Sequence, residues 1–97
     1  MIRTALPVLA LLAACVSPSP RFVGARAGVA EIDGMRFTIF RRADEVEVHR
    51  TGGGIPRQRD VYLGAMRAIL DVTGCPVRPK SMKGDQAVVT AEIDCPR

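Results

Sequence analysis

The chain has 97 residues, a formal charge of +4, 25% charged residues and only 4% aromatic ones, which allows one small domain. Its basic residues are arginines except for Lys80 and Lys83, they are interleaved with acids, and few aromatic rings are present to stack on bases, so no nucleic-acid partner is expected. One histidine and three cysteines are too few for a converging metal-ligand set or for a nucleophile with its base; no catalytic residue, metal or cofactor is expected.

The first element is apolar. Arg3 forms a short positive region, Ala5 to Ala14 carry no charge, and the small residues Ala13 and Ala14 precede Cys15. That is the anatomy of an export signal. Pro18 and Pro20 end the run well short of the roughly 20 apolar residues that a membrane span needs. Pro7 and the lack of a polar face are unlike a core helix.

Leu12-Ala13-Ala14-Cys15 resembles the lipobox of bacterial lipoproteins. The resemblance implies a signal peptide over residues 1–14, cleavage before Cys15, a diacylglyceryl group on its thiol and a further acyl chain on the new amino terminus. More than one chain makes such anchoring stable. In that family an aspartate after the cysteine marks retention in the inner membrane. Val16 stands there, so the resemblance leans toward the outer membrane of a Gram-negative envelope, with the domain facing the periplasm. Residues 15–20 are then the acylated cysteine and a Ser/Pro tether, and residues 21–97 are the domain. The partner that the resemblance implies is the membrane, through Cys15; an envelope protein is expected separately, at the domain surface.

Ala27 to Asp33 is a short strand ending at a turn with Gly34. In Met35 to Arg41, Met35, Phe37 and Ile39 alternate with Arg36, Thr38 and Phe40, the period of a half-buried strand. Ala43-Asp44 makes the next turn. Glu45 to Arg50 repeats the alternation, with Val46 and Val48 inward and Glu45, Glu47 and His49 outward. These two strands form a hairpin on which arginines can meet glutamates, and His49 is expected to be solvated.

Gly52-Gly53-Gly54 breaks the pattern. Pro56 suits the first turn of a helix. Val61, Ala65, Ile69 and Val72 recur at helical spacing up to Thr73, with Gly74 placed to cap and Pro76 to stop the helix. Helix N-termini attract anions through free N–H groups, and arginine adds bidentate bonds. Gly53, Gly54, Arg57 and Arg59 are therefore a candidate anion site; a flexible connector with solvated arginines is the alternative. No Gly-Lys-Ser/Thr follows, so the loop is not a Walker motif. The helix's apolar residues sweep roughly 200°, more than one sheet face covers. Either the segment around Phe22 and Val23 folds over the helix, or Leu63, Met66 and Leu70 form an exposed interaction patch.

Pairing Cys75 with Cys95 on antiparallel strands puts Val77 opposite Ile93, Pro79 opposite Ala91 and Ser81 opposite Val89, mostly apolar residues on the cysteines' face. On the other face Arg78 falls opposite Glu92. The turn then lies within Lys83-Gly84-Asp85-Gln86, centred on Asp85. Pro79 requires an edge position or a bulge. Two buried free thiols are the alternative; the oxidising compartment of an exported protein favours the bond.

Together these elements predict an α+β domain: a small antiparallel sheet packed on one helix, in the order β-(β)-β-α-β-β, stapled by one disulfide. With Thr73-Gly74-Cys75 and Ile93-Asp94-Cys95, the chain also resembles small uncharacterised lipoproteins of Gram-negative bacteria, which bring no established activity. The expected role is that of a non-enzymatic accessory or interaction protein of the envelope; the alternative is a binding module for an anionic envelope ligand at residues 52–59.

Overall fold

A computed structural model describes residues 17–96. Residues 1–14 and Cys15, on which the expected signal and lipid attachment fall, lie outside the described residues. After a short 3₁₀ turn (Pro20–Phe22), strand β1 (Arg26–Ile32) turns through Asp33-Gly34 into β2 (Met35–Arg42), which turns through Ala43-Asp44 into β3 (Glu45–Thr51). Asp33 and Gly34 have φ values of 52° and 80°. Two left-handed residues make the type I′ hairpin turn, and Asp-Gly is a favoured sequence for it.

Side-chain alternation gives the sheet two faces. Met35, Phe37, Ile39, Val46 and Val48 point to one of them and are almost completely buried. Helix α1 (Gln58–Thr73) covers that face with Val61, Ala65, Ala68 and Ile69. Each such large side chain contributes roughly 1.5–3 kcal/mol of transfer free energy when fully buried. The helix begins two residues after Pro56, with Arg57 as its N-cap. Its end follows the sequence: Gly74 is left-handed, and its N–H bonds to the Leu70 carbonyl at 2.8 Å. The helix sits so close to β2 that a Cβ on Gly64 would stand 3.0 Å from Phe37.

The last two strands are β4 (Lys83–Gly84) and β5 (Val88–Glu92). All pairs are antiparallel, in the order β1-β2-β3-β5-β4. The crossover through α1 brings β5 back beside β3, where Val48 faces Val89. Strands β1 and β4 are left as the two edges. Cys75 and Cys95 are disulfide-bonded, with Cα atoms 4.7 Å apart.

Near the disulfide the expected register holds. Val77 bridges Ile93, the Arg78 N–H bonds to the Glu92 carbonyl, and Asp94 N–H to that of Pro76. The Arg78 guanidinium meets Glu92 at 2.7 Å and Asp94 at 2.9 Å. Beyond that the expectation fails. Pro79–Ala91 and Ser81–Val89 do not pair; Lys83 pairs with Thr90 and Gly84 with Val89, three residues out of step. Pro79 has no N–H for the ladder, Lys80 is left-handed at φ 66°, and Ser81 N–H turns back to the Arg78 carbonyl. The Ser81 hydroxyl then accepts the Glu92 N–H at 3.0 Å, bridging the gap in the ladder. The turn moves accordingly. Asp85 opens it, and its carboxylate accepts the N–H groups of Ala87 and Val88, which hold it below the usual carboxylate range.

Candidate functional site

The sheet's second face carries a feature the alternation did not announce. Glu47, expected outward, is only 4% exposed. The segment leading into the 3₁₀ turn crosses over it. The Ser19 N–H donates to Glu47 Oε1 at 2.8 Å and the Ser19 hydroxyl to Oε2 at 2.6 Å. His49 Nε2 lies 2.7 Å from Oε1, so the imidazole is also half-buried rather than solvated. Its ring meets Phe40 edge-on at 5.4 Å. Phe22, on the same turn, is buried, as is Phe40 beneath it on this face. Phe40 was the one signal available in the sequence: it places a large aromatic ring on the face that alternation assigns to water.

Burial pushes the Glu47 carboxyl up, but the Ser19 hydroxyl, the Ser19 N–H and His49 together outweigh it and hold the group below its usual range. This determines what the cluster can do. The order is serine, carboxylate, histidine. Glu47, not His49, takes the Ser19 hydroxyl bond, and a carboxylate with a lowered pKa is a poorer proton acceptor. The arrangement suits holding the chain in place rather than activating a nucleophile. Beside it the Arg21 guanidinium pairs with Glu45 and lies 5.7 Å over the Phe22 ring, and Arg42 donates to the Arg21 carbonyl. Five residues, Ser19, Arg21, Arg42, Glu45 and Glu47, thus clamp the entering chain to β2 and β3.

The glycine-arginine loop is built differently from the expected anion cradle. Gly52, Gly53 and Gly54 are left-handed in succession, at φ 74°, 79° and 66°. A Cβ on Gly53 would come within 2.5 Å of Met35 Cγ, so the glycines let the chain turn closely over the end of β2. Arg57 and Arg59 are exposed, and Arg59 stands 3.9 Å from Asp60. A cleft of about 420 Å³ opens beside Gly53, but its charged lining is Asp33, Asp60 and Arg67. Neither Arg57 nor Arg59 lines it. The structure does not bring the four expected residues together around one cavity.

Leu63, Met66 and Leu70 are 53%, 44% and 45% exposed on the side of α1 away from the sheet. The segment around Phe22 and Val23 does not fold over them: Phe22 is buried on the opposite face of the sheet, and Val23 is exposed. Of the two arrangements open from the sequence, the exposed one is present. Among the described residues no group of three or more His, Cys, Asp or Glu is placed to hold a metal ion, and no helix is long and apolar enough to cross a membrane. Comparison of the chain with protein-family models, curated proteins and solved structures gives no match.

Proposed function

We propose that this chain is a lipid-anchored accessory protein of a Gram-negative cell envelope, attached through Cys15, facing the periplasm from the outer membrane and acting by contact rather than catalysis. The observation that supports it most is the clamp at Ser19. Ser19 lies only four positions after Cys15, and an extended chain gains at most about 3.6 Å per residue. A lipid on Cys15 would therefore hold the clamped face of the sheet within about 15 Å of the bilayer surface. Helix α1 lies on the other face, so Leu63, Met66 and Leu70 would be presented away from the lipid, toward an envelope protein. The alternative, an anionic ligand at Gly53, Gly54, Arg57 and Arg59, has less support, because the cleft beside these glycines carries two carboxylates.

The test is capture of the acylated full-length chain from cross-linked envelopes, beside a Leu63→Arg/Leu70→Arg variant. A protein that co-purifies with the native chain and is lost from the variant supports the reading. An identical set from both would overturn the role of the helix face. Stabilisation by inorganic phosphate or lipid A that Arg57→Ala/Arg59→Ala abolishes would favour the anion site instead.

A further inference from the structure

Among the described residues, no strand pairs with the outer side of β1. In β1 no proline, lysine or bulge interrupts Arg26–Ile32, although such devices commonly blunt an exposed edge. Ile32 and Met35 close the two-residue hairpin, so they and every second pair from them bond within it. Ala27, Val29 and Glu31 consequently turn their N–H and C=O groups outward, away from β2. Val29 is 49% exposed.

The ends of this edge have opposite charge. At one end Arg26 stands directly opposite Arg41 of β2, an unfavourable like-charge pair. Arg41 donates to the Ala43 carbonyl and to Cys95 Sγ; Arg26 has no ion pair among the described residues. At the other end Asp33 is likewise without one, while Glu31, on the opposite face of the strand, stands directly across from Arg36. A cleft lies between β1 and α1 at each end: about 340 Å³ beside Arg26, Gly28 and Val72, and about 420 Å³ beside Ile32, Asp33 and Leu63.

We propose that the occupant of this edge is a second copy of the chain, paired antiparallel β1 to β1 across a two-fold axis into a continuous ten-stranded sheet. The proposal deepens the interaction-protein reading by naming one partner. Charge complementarity selects it, because a two-fold axis sets each end of the edge against the opposite end of the copy. The cleft lined by Arg26, Arg41 and Val72 of each chain then meets the cleft lined by Asp33, Asp60, Arg67 and Leu63 of the other, two positive charges against a net negative one. With Val29 on the axis, Val29 faces Val29, Ala27 faces Glu31 and Arg26 faces Ile32, and the outward groups pair with one another. An axis perpendicular to the sheet leaves each chain's faces unchanged. Both clamped Ser19 segments therefore emerge on the same side, as two anchors in one bilayer require.

The experiment uses the full chain, first in detergent by sedimentation over a concentration series, then in envelopes by thiol cross-linking. The native chain sediments as a dimer, more weakly at high salt. Val29→Lys, which sets like charges opposite each other on the axis, and Val29→Pro, which removes an outward N–H that β2 does not use, both give monomers with an unchanged circular dichroism spectrum and an intact Cys75–Cys95 bond. Arg26→Glu weakens the dimer roughly fivefold, through two symmetry-related contacts. Val29→Cys cross-links to itself, whereas Lys83→Cys on the other edge does not. A native chain that is monomeric throughout, or equal cross-linking from both edges, overturns the proposal. Palmitate labelling at Cys15 is scored on the same samples. A labelled monomer would leave the anchored-protein reading standing without the dimer, and an unlabelled dimer the reverse.

Discussion

The two edges of the sheet are opposite in construction. The β4 edge is two residues long, preceded by a bulge with Pro79 and left-handed Lys80, tied by the Arg78 pairs to Glu92 and Asp94 and covalently closed by Cys75–Cys95. The β1 edge is seven residues of regular strand with no such device. A domain this small has little net stability to distribute, and here local reinforcement is concentrated on the side where the chain returns after the helix. The difference teaches that β4, two exposed residues with a lysine, offers little ladder for further pairing, while β1 is held by its hairpin and the helix and left open to it.

Breaking the disulfide should have the largest effect. Its 20-residue separation corresponds to about 3 kcal/mol in the chain-entropy model and a fall in Tm on the order of 10 °C. Amide exchange should rise over residues 76–95 and change little in the β1–β2 hairpin. A melt that is unchanged with reductant, once thiol titration shows two free thiols, would break the comparison.

Replacing Glu47 comes next, because it leaves Ser19 N–H and His49 without their acceptor. Glu47→Ala should cost about 1–3 kcal/mol in a denaturant titration. The pH dependence has a definite sign. The carboxyl is held below the ordinary 4.5 in the folded chain, so the unfolded chain binds more protons in that range and stability falls with falling pH. The contribution is complete above the unfolded pKa and is lost as pH drops through the lowered native value. Glu47→Gln should lose that component of the acid limb, and an unaltered limb would count against the clamp.

Smaller effects sharpen the contrast at each edge. Ser81→Ala removes the hydroxyl that receives the Glu92 N–H and should cost about 0.5–1 kcal/mol, with faster exchange at Glu92. Val29→Pro on the open edge should change the stability of the single chain by less than about 1 kcal/mol. A loss near 3 kcal/mol there would show that the outward N–H of Val29 is already used.

Much of this architecture was legible because alternation is a local signal. Phe37 and Ile39 against Val46 and Val48 define two strands and their buried face, Asp33-Gly34 defines a turn, and Cys75 with Cys95 anchors the register as far as Val77 and Arg78. What was not legible depends on distant or conformational facts. The slip at residues 79–82 turns on a left-handed Lys80, which no residue type demands. The burial of Glu47 depends on Ser19, 28 residues away, and only Phe40 hinted at a cover. The glycines at residues 52–54 read as part of a candidate anion site or a flexible connector, yet Gly53 is required by the approach of Met35. Phe22, one of two possible covers for the helix in the sequence, is buried on the opposite face of the sheet instead. The position of β5 between β3 and β4 follows from the crossover through α1, which local periodicity does not encode.

We propose that the chain is held to a membrane through Cys15, while its other two cysteines are bonded to each other. The most direct measurement is metabolic palmitate labelling with membrane fractionation of the native chain and of Cys15→Ser. The account predicts label and membrane association in the native chain, loss of both in the variant, and a Cys75–Cys95 bond that persists in both. Retention of label and membrane association by Cys15→Ser, or their absence from the native chain, would contradict it.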